Sequence, residues 1–235
     1  MIDERVEKLR QSILKVRENI EAAALRAGRD PKDILLLGVT KTVDVDVMEI
    51  AFDLGITSFG ENRVQEFLRK SDIIRRQCAW HIIGRLQTNK VKYLDSRIKL
   101  IHSLDRMELA QALNTRGEKI NYVFPVLVQV NVSGESTKAG VSPEELKSFI
   151  FELSKLGNIK VRGLMTMAPQ TDNPEDVRDV FRTLKKLSVD IERERVENIS
   201  MEELSMGMSE DYTVAVEEGA TIVRIGSALF GERVY

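Results

Sequence analysis

The chain has 235 residues, 43% of them hydrophobic, enough to bury a substantial core in one large domain or two small ones. Its 35 Lys plus Arg nearly balance 37 Asp plus Glu, and with a net charge of -2 and no dense basic run the composition argues against a nucleic-acid partner. Residues 1–8 are charged where a signal peptide needs an apolar core, and no apolar stretch is long enough to span a bilayer, so a cytoplasmic protein with no membrane attachment is expected.

In chain order, Ile2, Val6, Leu9, Ile13, Val16 and Ile20 recur at spacings of four and three, a single helical stripe that Gly28 and Pro31 bring to an end. The stripe reads as packing on the rest of the domain rather than as a coiled-coil seam, and a monomer is expected over a dimer. Strand-like apolar runs follow at 34–40, 56–59, 80–84, 98–102, 122–130, 160–167, 202–206 and 221–226, separated by polar, helix-favouring stretches. Ser142, Pro143 and Glu145 supply a hydroxyl cap, a proline at the first helical position and a returning carboxylate. Asp105 with Glu108, and Asn173 with Pro174, repeat parts of that start signal. About eight strand and helix units with no linker between them predict an α/β fold, a single (β/α)8 TIM-type barrel over 1–235 with an additional N-terminal helix within 1–30. An open doubly wound sheet is the competing architecture, but Gly38-Val-Thr-Lys-Thr42 is no Gly-rich nucleotide loop.

In such a barrel the chemistry gathers where strands end. Lys41 closes the first run, and apolar surroundings disfavour an ammonium, leaving a fraction of the amine able to attack an aldehyde. Taken alone, a strand-end lysine more often simply reaches water. Glu61 and Asn62 follow the second run, His81 and Gly84 lie on the third, Ser103 follows the fourth and Asn131 ends the fifth. Ser205-Met206-Gly207-Met208-Ser209 and Arg224-Ile225-Gly226-Ser227 each set a glycine and a hydroxyl beside a turn, and two such loops next to a strand-end lysine favour a phosphorylated aldehyde. Ser209 reads as a cap for the helix that follows it. Arg224 lies in an apolar strand and needs an acceptor, for which Glu61, Glu217 and Glu218 are candidates. Cys78 reads as an inert buried thiol, and His81 and His102 give no metal-ligand signature. Residues 131–140 read as a mobile loop with its own amine at Lys138.

Together these segments resemble the pyridoxal phosphate homeostasis proteins, single-domain barrels related to the barrel domain of bacterial alanine racemase. The likeness is carried by Gly38-Val-Thr-Lys-Thr42, Phe59-Gly-Glu-Asn-Arg-Val-Gln-Glu66, Trp80-His-Ile-Ile-Gly84, Leu86-Gln-Thr-Asn-Lys90, Gly163-Leu-Met165, Leu204-Ser-Met-Gly-Met-Ser209 and Val223-Arg-Ile-Gly-Ser-Ala-Leu-Phe-Gly231, nearly the whole chain. It implies that Lys41 carries pyridoxal 5'-phosphate (PLP) as a Schiff base, that Ser205, Gly207, Gly226 and Ser227 surround the phosphate, and that Arg224 faces the pyridine nitrogen. It also implies that Asn62, Met165 and Met206 line the ring or phosphate pocket and that His81 stands near it, although a lone histidine on a barrel strand is more often structural. The charged run 192–203 and Arg85 depart from the family pattern.

An arginine at the ring nitrogen weakens the cofactor as an electron sink and argues against aminotransferase chemistry. Racemisation needs a second acid/base opposite Lys41, and Tyr93, Tyr122, Tyr212 and Tyr235 offer no motif for one. The expected function is that of a PLP carrier, more binding protein than enzyme, serving vitamin B6 and amino-acid homeostasis and supplying apo-enzymes. The alternatives are a PLP-dependent amino-acid racemase or decarboxylase and, without PLP, a sugar-phosphate barrel using Lys41 as an aldolase-type nucleophile.

Overall fold

The computed structural model describes residues 2–135 and 138–231, the side chains of Ile2 and Asp3 excepted; Ser136, Thr137 and Tyr235 lie outside the described residues. The N-terminal helix α1 (Ile2–Arg26) turns Leu9, Ile13, Val16, Ile20, Ala23 and Ala24 inward. Burying each large aliphatic side chain contributes about 1.5–3 kcal/mol, enough to hold the helix on the barrel. Gly28, at φ 65°, lets the chain leave the helix, and Pro31 opens a short 3-10 turn before the first strand.

Strand β1 (Leu35–Val39) leads to α2 (Val45–Asp53), β2 (Ser58–Glu61), α3 (Val64–Ser71) and β3 (Ala79–Ile82). After a 3-10 segment at Thr88–Tyr93 come β4 (Ile98–Leu104), α4 (Met107–Ile120), β5 (Phe124–Gln129), α5 (Pro143–Leu153) and β6 (Ile159–Met165). The chain ends through α6 (Arg178–Arg193), β7 (Ile199–Ser205), α7 (Tyr212–Glu217), β8 (Ile222–Ile225) and α8 (Ser227–Phe230). The strands pair in parallel in chain order, and β8 closes on β1 with Leu37 opposite Arg224 and Gly38 opposite Ile225. This is the expected (β/α)8 barrel with its N-terminal helix. Helix α1 is tied down where the barrel closes: Asn19 Nδ2 donates to the Tyr212 hydroxyl at 2.8 Å and Arg26 pairs with Glu217 at 2.7 Å.

Parallel strands covered by helices are buried on both faces, so two apolar layers form. Leu37, Leu100, Leu127, Met165 and Ile222 fill the barrel interior. The outer layer, between strands and helices, includes Phe59, Phe67, Trp80, Phe124 and Phe181, with Phe67 edge-on to Trp80 at 5.6 Å.

Several local expectations are corrected. The connection from β3 to β4 uses a 3-10 segment in place of an α-helix. Asp105 does not cap α4: the cap position is Arg106, and the Asp105 carboxylate takes Arg106 and the exposed Arg85 instead. The charged run 192–203 resolves into the end of α6, a turn with Arg195 and Asn198 in the left-handed region, and an earlier start for β7, where Glu192 accepts the Met201 N–H at 2.8 Å. The Ser142 cap forms as read, its hydroxyl accepting the Glu145 N–H.

Candidate functional site

Lys41 is the second residue after β1, half-buried at the rim where the strands end. Its turn is strained, because the next residue, the β-branched Thr42, has φ 67°. Behind it the wholly buried Lys70 donates from Nζ to the Thr40 carbonyl at 2.6 Å and to Glu61 Oε1 at 2.8 Å, and the Thr40 hydroxyl donates to the same oxygen at 2.6 Å. Burial pushes the Glu61 carboxyl above its ordinary value, against the opposing hydrogen bonds from Lys70 and Thr40. Glu61 is thus part of a clamp between β1, β2 and α3 and takes no part in binding Arg224.

The Arg224 guanidinium is buried, and it donates to the Ser205 hydroxyl from Nη1 at 2.6 Å and to the Thr166 carbonyl from Nη2 at 2.9 Å. The carboxylates considered from sequence are engaged elsewhere: Glu217 with Arg26 and Arg178, and Glu218 with Arg178 and Arg182. Burial pushes the guanidinium down to about 10, with Asp211 opposing that shift. From Ser205 the polar chain continues inward: Ser205 Oγ lies 2.8 Å from His102 Nδ1, and His102 Nε2 lies 2.8 Å from His81 Nδ1. His81 is therefore an interior residue two hydrogen bonds removed from Ser205. It also lines a cavity of about 650 Å³ with Leu35, Lys99, Glu203 and Thr221, at the N-terminal end of the barrel, opposite Lys41.

The loop after β7 and the turn after β8 meet at the Lys41 rim. Gly207, at φ 91°, accepts the Arg224 N–H through its carbonyl at 3.0 Å, and an added Cβ would stand 2.6 Å from Ala215 Cβ. Ser209 does not cap its own helix. Its hydroxyl accepts the N–H groups of Gly226 at 3.3 Å and Ala228 at 3.2 Å, while Asp211 closes the loop by accepting the Met208 N–H at 2.6 Å. Ser227 is exposed at the start of α8, and Met206 is fully buried beneath the loop. Met165 ends β6 inside the barrel core, and Asn62 is exposed after β2, its backbone held against Gly84, where a Cβ would come 2.8 Å from Asn62 Cα.

Lys41, Gly207, Arg224, Gly226 and Ser227 thus gather at one end, as read from sequence, whereas Ser205 and His81 lie deeper. Ser209, Thr166, His102 and Lys70 complete the arrangement and are absent from the sequence-derived site. The donor set fits a phosphorylated pyridine aldehyde: an amine for the carbonyl carbon, a guanidinium for a ring acceptor, and backbone N–H groups of a glycine turn for phosphate. Lys138 pairs with Glu135 at 2.9 Å, within a loop whose neck is closed by the Asn131 N–H to Val141 carbonyl bond. The half-buried Cys78 thiol is pushed up to about 11, chiefly by burial.

A closed parallel barrel with a strand-end lysine, and a buried arginine on the strand next to its glycine loop, has the layout of a PLP-site barrel. The chain belongs to the alanine racemase N-terminal domain family, which matches residues 12–234, and within it to the pyridoxal phosphate homeostasis proteins. It is 51% identical over 226 residues to the pyridoxal phosphate homeostasis protein of Aquifex aeolicus, covering 96% of this chain and 98% of that one. It is 35% identical to the protein of that name in Escherichia coli K12, covering 95% and 96% of the two chains. Among solved structures it resembles PipY of Synechococcus elongatus with PLP bound, at TM-score 0.81 and 29% identity over 95% of this chain and 100% of that one. An alanine racemase of Clostridium difficile shares the fold at TM-score 0.74, with 18% identity, over 97% of this chain and 58% of the enzyme.

Proposed function

We propose that the chain, as one barrel unit over 1–235, is a cytoplasmic, monomeric carrier of PLP that holds the cofactor reversibly on Lys41. In this role it serves vitamin B6 and amino-acid homeostasis by passing PLP to apo-enzymes. When bound, PLP supplies an aldehyde that condenses reversibly with an amine. The observation that carries the reading is Arg224: a permanent cation whose described partners are a hydroxyl and a backbone carbonyl, with further N–H donors for a ring nitrogen. A fixed cation there holds that nitrogen unprotonated, which suits carriage and weakens electron withdrawal. The phosphate falls to Ser209, Gly207, Gly226 and Ser227, since the Ser205 hydroxyl is enclosed by Arg224 and His102.

Carriage is favoured over racemisation by where Tyr122 and Tyr212, two of the described tyrosines, lie. The Tyr122 hydroxyl donates to the Ile98 carbonyl at 2.8 Å, at the N-terminal end of the strands, and the Tyr212 hydroxyl accepts from Asn19 beneath α1. Titrating PLP into wild type and Lys41→Ala tests the reading by visible absorbance. A bound-cofactor band is expected in wild type alone, with no D-amino acid formed from L-amino acids beyond that given by free PLP. Equal bands in both proteins, or Lys41-dependent D-amino-acid formation, would overturn it.

A further inference from the structure

The interior chain Arg224, Ser205, His102, His81 crosses the barrel from the rim to the opposite end, and its hydrogen bonds have a forced direction. A guanidinium can only donate, so Ser205 Oγ accepts from Arg224. The hydroxyl proton of this fully buried serine then needs an acceptor, and the neighbour in place is His102 Nδ1 at 2.8 Å. With Nδ1 accepting, a neutral His102 carries its proton on Nε2 and donates to His81 Nδ1, 2.8 Å away. His81 in turn carries its proton on Nε2, the remaining ring nitrogen of a residue that lines the N-terminal cavity. Protonating His81 would set two donors face to face, and protonating His102 would leave the Ser205 hydroxyl proton without its acceptor. Burial opposes that, holding His81 down to about 4 and His102 well below the ordinary range.

We propose that Ser205, His102 and His81 are positioning residues, a one-way hydrogen-bonded chain that fixes the Arg224 guanidinium in the place where it meets the cofactor ring. Its geometric part stands on the barrel interior alone; its link to the ring nitrogen rests on the PLP reading. Ser205 supplies the acceptor that holds Nη1 of Arg224, and the two imidazoles hold Ser205 in the rotamer that presents its lone pair to Arg224. The same enclosure takes Ser205 out of phosphate contact and leaves that task to Ser209.

Nitrogen-15 NMR of the cofactor-free protein reads the direction and needs no variant. Both histidines are expected neutral, protonated on Nε2 and bare on Nδ1, at neutral pH; an Nδ1–H on either ring would overturn the chain. The second measurement loads wild type, Ser205→Ala and Ser205→Thr with PLP labelled at the pyridine nitrogen. The nitrogen is expected unprotonated in wild type, shifted toward its protonated position in Ser205→Ala and restored in Ser205→Thr. An unchanged nitrogen signal in Ser205→Ala, with cofactor mapped to Lys41, would overturn the positioning role even if the variant melts at a lower temperature. A wild type that forms no Lys41 adduct would sink the PLP reading and the ring-nitrogen link with it, while the histidine tautomers still decide the chain's direction.

Discussion

The Nζ of Lys70 lies 2.6 Å from the carbonyl oxygen of Thr40, so a wholly buried ammonium grips the backbone one residue before Lys41. Its counter-charge, Glu61, has no solvent exposure either. Removing one member of a buried ion pair costs about 3–5 kcal/mol, because the other charge is left without compensation. Lys70→Met is therefore expected to lower unfolding free energy by that order and to weaken PLP binding through a loosened Lys41 turn. Adding Glu61→Gln should return part of the stability. Denaturant titration of the single and double variants checks both; a double variant less stable than Lys70→Met would contradict the clamp.

Acid should destabilise the protein before its carboxylates are exhausted. An unfolded histidine titrates at about 6.5, whereas burial holds His81 down to about 4. Between those values the unfolded chain takes up a proton that the folded one refuses, so this contribution is complete above about 6.5 and lost as pH falls toward 4. At 1.36 kcal/mol per pH unit the loss is on the order of 3 kcal/mol, and His102, also held down by burial, acts in the same direction. Glu61, raised by burial, works in the opposite sense, so the decisive comparison is wild type against His81→Gln. The variant should show the flatter decline in denaturant midpoint between neutral pH and about 4; identical slopes would contradict the neutral buried ring.

Much of this was legible in the sequence, and the misses share a cause. The α1 stripe and the Ser142 cap are local signals, and the parallel alternation named the barrel because strand and helix periods are written into neighbouring residues. The places of Lys41, Gly207 and Gly226 after their strands were legible because strand ends and glycine turns are local too. Ser209, Lys70 and His102 act across 9 to 103 residues of chain, through partners that only the fold brings near. Arg224 shows the same limit: its need for acceptors was clear, but a carboxylate was expected where a serine and a carbonyl serve. Asp105 failed as a cap because two arginines compete for it.

Gly207 should tolerate no side chain. Alanine there meets both a left-handed backbone, at φ 91°, and Ala215 Cβ at 2.6 Å. Gly207→Ala is expected to cost about 1–3 kcal/mol in stability and to weaken PLP about tenfold, equivalent to 1.4 kcal/mol. Pyridoxal, which lacks the phosphate, should lose much less. Equal losses for the two ligands would remove the loop from the phosphate site.

Ser142→Ala should cost about 1 kcal/mol, the usual effect of losing a hydroxyl cap, and leave PLP binding unchanged, since α5 begins beyond the 131–140 loop. A changed PLP affinity at constant stability would instead couple that loop to the site.

The most direct test is borohydride reduction of the PLP-loaded protein followed by peptide mass mapping, with Lys41→Ala alongside. A phosphopyridoxyl group on the Lys41 peptide of wild type, and none on that peptide in the variant, is the expected result. A wild-type Lys41 peptide left unmodified at saturating PLP would contradict a carrier built on Lys41.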